Sequence, residues 1–228
     1  MAKLTPQQLF NAPAHVRTEA QGLDPATALL RVWQSERLSK TYADLLDVPD
    51  YAPACRYFLN DLYAARDFSQ RDHDTERIHH LLGQVMPPVI ERSLADIIAL
   101  NQMSHALDAQ LVSVLVGQLG VTEAISTAQY CQAYRICDNQ DARAAQIALL
   151  SKLVREVGAL AQQNMVSWSL KVIKGPAVRL GWGELFGFLE RGYDAFRKMR
   201  DASAFAAIVE EREGAILTRI FAGEDDPF

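Results

Sequence analysis

Cysteine is scarce in this chain of 228 residues: Cys55, Cys131 and Cys137 are all it holds. An odd count without zinc-ligand spacing argues against a disulfide framework or a zinc knuckle. It fits reduced thiols packed in the core of a cytosolic protein. Long apolar runs are missing too. The segment "LVSVLVGQLG" falls far short of the ~20 residues of a membrane-spanning helix, and "MAKLTPQQLFNAPAH" has no apolar secretory core. The expected location is therefore the cytoplasm. Nor is there a basic excess: 23 Lys and Arg face 28 Asp and Glu, a net charge of −5, which makes nucleic acid an unlikely partner. No G-x-S-x-G elbow or Cys–His nucleophile signature occurs. "GWGELFG" at 181–187 lacks the preceding strand and the Lys-Ser/Thr pair of a phosphate loop.

What is present is helical periodicity, with nearly half the residues apolar and no convincing strand-like alternation. The expected fold is an all-α, single-domain bundle of about eight helices. It should span 23–222, after a loosely ordered segment 1–22 and before an acidic tail 223–228 that frays. Asp24 and Pro25 read as N-cap and first helical residue, with Pro49 as the stop. The next helix places Cys55, Phe58, Leu59, Leu62 and Tyr63 on one face, at core-facing spacing. Pro87 and Pro88 separate a third helix from a long fourth one that ends near Gly120. Ser126 caps the next helix, and Gly175-Pro176 should break the segment after Met165.

The third helix opens with "RDHDTERIHH", Arg71 to His80, which holds three of the five histidines. Ile78, Leu81, Leu82 and Val85 define its buried side. Glu76 and His80 point away from that side, and His79 flanks it. Glu76 and His79 have the (i, i+3) spacing of di-iron bundles, but those pairs face inward and come in twos. Glu76, His79 and His80 thus fit a solvated charged face better than a metal site, and no metal or other cofactor is expected. Asp74 projects near the apolar side, within reach of Arg71 and Arg77, and a carboxylate there must be paired. Asp72 and Asp74 also complement the helix dipole.

In the fourth helix Ile97, Leu100, Leu107, Leu111 and Leu115 mark the core stripe. Asp108 and Ser104 fall inside it, with Asn101 and His105 along its edge. Polar groups so placed need partners. His105 and Asp108 could form a proton-transfer pair, a ligand contact or a satisfied internal hydrogen bond. Asp108 could also receive an arginine from the third helix and join the two clusters into one interior network.

Between 161 and 200 seven Lys or Arg face three Asp or Glu, so this part is net +4 and the rest net −9. Within it Trp168, Lys171, Lys174, Arg179 and Trp182 form a candidate basic-aromatic surface for an acidic partner or an anionic membrane face. The plainer alternative keeps the tryptophans in the core and the cations on a solvated rim.

Several blocks carry a family resemblance: "YFLNDLY" at 57–63, Arg71-Asp72-x-Asp74-x-x-Arg77, Leu107-Asp108, and "IKGPAVRLGWGELFGFLERGYDAFRKM". The chain is similar, from about residue 24 to the last helix, to the FFLEE motif proteins, an uncharacterised and mainly proteobacterial family. Their motif reads Phe-Phe-Leu-Glu/Asp-Glu-Leu-Tyr, against Tyr57 and Asn60 at its first and fourth places here. The resemblance implies no activity, cofactor or catalytic residue. It covers Asp74, Arg77 and Asp108 but not His79 and His80. The leading expectation is a non-enzymatic binding module for a protein partner or a small amphiphile, compatible with a homodimer. The alternative is an enzyme that uses the interior Arg71, Asp74, Arg77, Ser104, His105 and Asp108 cluster, with or without a metal.

Overall fold

Asp24 opens the first helix by accepting the backbone N–H groups of Ala26 and Thr27 on its side chain at 3.1 Å, with Pro25 in the first turn. The structure is a computed structural model and describes residues 22–63, 71–76, 88–179 and 181–228. All regular structure among them is helical. The chain runs through α1 (Pro25–Thr41), α2 (Ala43–Leu46), α3 (Ala52–Tyr57) with its π-helical extension Phe58–Leu62, a helical stretch at 71–76, and α4 (Pro88–Gly117). Then come α5 (Thr127–Cys137), α6 (Gln140–Ala161), α7 (Asn164–Arg179), α8 (Gly183–Arg197) and α9 (Ala202–Phe221). Ser126 caps α5 through a reciprocal box with Gln129.

The pair α6 and α9 forms the centre, and α4 and α8 also pack on α6. Ser151 marks a close approach, its buried hydroxyl donating to the carbonyl of Ala206 at 3.2 Å. Two apolar clusters flank the centre. One joins Leu30 of α1, Leu111 and Leu115 of α4, Tyr130 of α5 and Ile216 and Ile220 of α9. The other joins Leu38, Cys55, Val154, Phe196, Phe205 and Val209 from α1, α3, α6, α8 and α9. Trp182 and Phe186 are buried as well.

Four local features differ from the periodicity. The first helix stops at Thr41, because Tyr42 leaves helical dihedrals (φ −114°, ψ 19°) and packs its ring inside. The second helix becomes a π-turn at Phe58–Leu62, closed by Tyr63 N–H donating to the Phe58 carbonyl at 2.9 Å. No break occurs at Gly175-Pro176: proline removes one amide donor, but its fixed φ is itself helical, and α7 continues to Arg179. The acidic segment 223–228 packs against the bundle. Pro227 is buried, Asp225 pairs with Arg135 at 2.7 Å, and Phe228 meets Trp33 edge-on at 5.6 Å.

Candidate functional site

Polar residues standing in otherwise apolar stripes build the interior of the bundle. On α1, Gln34 lies between buried Leu30 and Leu38, and Arg37 is one position before Leu38. On α9, Glu213 follows Val209 by one turn and precedes Leu217 by another. Arg37 Nη1 donates to Glu213 Oε1 at 2.6 Å, and the Tyr42 hydroxyl donates to the same oxygen at 2.9 Å. Burial works against a charge on Arg37, yet Glu213 outweighs it and holds the guanidinium protonated above its usual range. Burial and then Glu213 push the Tyr42 phenol far up, so it stays a neutral donor.

A second polar group spans α4, α6 and α1. Asp108 accepts from Gln34 Nε2 at 3.2 Å and from Arg143 Nη1 at 3.4 Å. Arg143 also donates to the Leu107 carbonyl at 3.1 Å and to Gln146 at 3.2 Å, and it lies 4.7 Å over the Tyr134 ring. Gln146 donates to the Ser104 hydroxyl at 2.7 Å, which donates to the Leu100 carbonyl at 2.8 Å. Tyr130 stacks on Trp33 at 3.8 Å and donates to the Tyr134 hydroxyl at 3.1 Å.

The third group lies around residues 71–76. Arg71 grips Asp72 through Nε at 3.0 Å and Nη2 at 2.8 Å, donates to the Asp61 carbonyl at 2.7 Å, and stacks over Phe188 at 4.6 Å. The other oxygen of Asp72 meets His105 Nε2 at 3.3 Å. Burial disfavours ionised Asp72, but the His105 hydrogen bond, Arg71 and Asn101 outweigh it and hold the carboxyl below 3.8. The Asp61 carboxylate takes Arg191 at 2.6 Å.

These groups border two cavities of about 130 and 250 Å³. The smaller carries the Arg37–Glu213 pair together with Tyr130 and Tyr134. The larger carries Arg71, Asp72 and His105 together with Val157, Phe188 and Phe196. Phe58, Tyr63, Leu100, Ser104 and Asp108 border both, so the two share a wall. Together they reach the ~300 Å³ at which small-molecule sites begin.

Arg71, Glu76, Ser104, His105 and Asp108 of the anticipated residues thus line these cavities. Asp74 is fully buried. His105 is half exposed, 51%, and pairs with Asp72 rather than Asp108. Asp108 takes its arginine from α6, because Arg71 is turned to Asp72 and Asp61. Glu76 is exposed and accepts from Gln102 at 3.0 Å. Arg77, His79 and His80 lie outside the described residues, among which no group of three or more His, Cys, Asp or Glu could hold a metal.

The basic-aromatic surface is reduced. Trp182 is not at the surface but in the core, since it sits at the start of α8 with Leu185 and Phe186 buried beside it. Lys174 is bound to both oxygens of Glu190 at 2.9 and 2.7 Å. Lys171 and Arg179 are exposed, and Trp168 is placed only as a residue of α7. Sequence reasoning missed Gln34, Arg37, Arg143 and Glu213. The stripe criterion that found Asp108 also fits them: each sits one turn from buried or cavity-lining apolar residues.

A model described as a domain of unknown function, DUF8198, matches residues 14–227. No curated protein and no solved structure matches the chain.

Proposed function

The chain belongs to this DUF8198 family, and from its interior we propose that it is a non-enzymatic module binding a small amphiphile between its helices. One observation carries the reading: two adjoining cavities whose charged groups come from α1, α4, α6, α9 and residues 71–76, while α8 supplies apolar surface. Sites for small ligands combine an apolar lining with a few convergent polar groups in this way. Kinship with the FFLEE motif proteins and a cytoplasmic location belong to the same proposal. The three free cysteines support the location, since unbridged thiols are usual there.

Native mass spectrometry of gently purified protein, set against the denatured mass, is the direct test. A stoichiometric extra mass is the expected result. Leu100 borders both cavities, so Leu100→Trp should abolish that mass while the protein stays folded by circular dichroism. An extra mass that persists in Leu100→Trp would move the ligand elsewhere. A clean mass that also fails to shift with added amphiphiles would remove the reading.

A second reading rests on His105, Asp72 and Arg71 at the rim of the larger cavity. A half-exposed histidine oriented by a carboxylate is an acid–base element. If a captured ligand changes mass on incubation, and His105→Asn stops the change without stopping capture, the protein is an enzyme.

A further inference from the structure

Among the described residues, four arginines line the two cavities: Arg31, Arg37, Arg71 and Arg143. So do four carboxylates: Asp72, Glu76, Asp108 and Glu213. Their formal charges cancel, and three pairs already hold one another, Arg37 with Glu213, Arg71 with Asp72 and Arg143 with Asp108. A ligand bringing a net charge into this interior would leave one charge uncompensated at low dielectric. An uncharged ligand meets no such penalty.

The shared wall adds a direction. Three polar side chains at it are committed to neighbours: Gln34 to Asp108, Asp108 to Gln34 and Arg143, and Ser104 to Leu100 and Gln146. Tyr63 differs. It borders both cavities, yet none of the hydrogen bonds among the described residues uses its hydroxyl. The π-turn fixes its backbone position. In a π-turn the N–H of residue i+5 donates to the carbonyl of residue i; Tyr63 closes such a turn on Phe58, and both border the same two cavities. Burial, then Glu213, pushes the Tyr63 phenol well above its ordinary value, so at neutral pH it is an O–H donor.

We infer that the cavities take an uncharged amphiphile whose carbonyl or hydroxyl oxygen accepts a hydrogen bond from Tyr63 at the junction, with its hydrocarbon in the larger chamber against Val157, Phe188 and Phe196. This rests on the cavity reading above and specifies the ligand class.

The test is isothermal titration calorimetry of the full chain with three probes of equal chain length: 2-octanone, octanoate and octylammonium. The ketone should bind at least about tenfold tighter than either ion. Tyr63→Phe should weaken the ketone about two- to tenfold, the range of one hydrogen bond, and leave the melting temperature unchanged, because the hydroxyl holds no hydrogen bond among the described residues. If either ion binds as tightly as the ketone, the ligand class is wrong and the cavity reading stands. If none of the three binds, both fall. If Tyr63→Phe leaves ketone binding intact, the junction donor is wrong. The comparison of probes on the unmodified chain decides the ligand class even if the variant unfolds.

Discussion

Arg37 and Glu213 are 12% and 14% exposed and 2.6 Å apart, and buried pairs respond asymmetrically to mutation. Removing one partner strands the other, whereas replacing both by apolar groups of similar volume is often neutral. Arg37→Met should therefore cost about 3–5 kcal/mol in urea unfolding, and Arg37→Met with Glu213→Leu should recover most of that loss. Asp72 gives a prediction in pH. Its folded carboxyl lies below the ordinary 3.8, so the stability it contributes is complete above the unfolded value and lost as pH falls through the depressed folded value. The stability gap between the protein and Asp72→Asn should be constant above about pH 5 and shrink below about pH 4. Urea midpoints across that range check it. At Cys55 and Cys131 burial pushes the thiols up to about 11, which suits packing roles rather than reactivity.

At the scale of the helix pair, the same substitution should have opposite signs at two glycines. A Cβ on Gly158 of α6 would overlap that of Ala202 at the start of α9, while a Cβ on Gly214 would meet nothing within 4 Å. Gly158→Ala gains helix propensity but forces the helices apart, and overpacking of this kind costs about 1–3 kcal/mol. Gly214→Ala has only the propensity gain, about 0.5–1 kcal/mol. Thermal unfolding should move down for the first and up for the second. A fall at both would mean that the α6–α9 approach is not what fixes Gly158. The π-turn belongs to this scale as well, since its closing bond from Tyr63 N–H to the Phe58 carbonyl sets the backbone position of Tyr63.

For the whole molecule, no helix among the described residues is long and apolar enough to cross a membrane. The bundle leaves space at its centre because charged groups on α1, α4, α6 and α9 face one another there, and they bind each other rather than closing on an apolar core. The net +4 between 161 and 200 does not gather into an aromatic patch, with Trp182 inside and Lys174 held by Glu190.

The sequence by itself determined the all-helical class, because apolar spacing and the N-caps at Asp24 and Ser126 are local properties. It also marked Asp108 and Ser104 as polar residues in a buried stripe, and Arg71 as a partner for nearby acids. It could not say which partners they meet. Asp108 is 35 residues from Arg143, and Arg37 is 176 from Glu213, separations at which only the packing of whole helices decides contact. The π-turn at Phe58–Leu62 escaped the periodicity because hydrophobic spacing of three and four continues through it. The course of α7 through Pro176 escaped for a related reason, since a proline marks the loss of one donor and not the end of a helix. The cavities themselves are tertiary: they exist where side chains from several helices fail to fill the space between them, and no one-dimensional pattern encodes that volume.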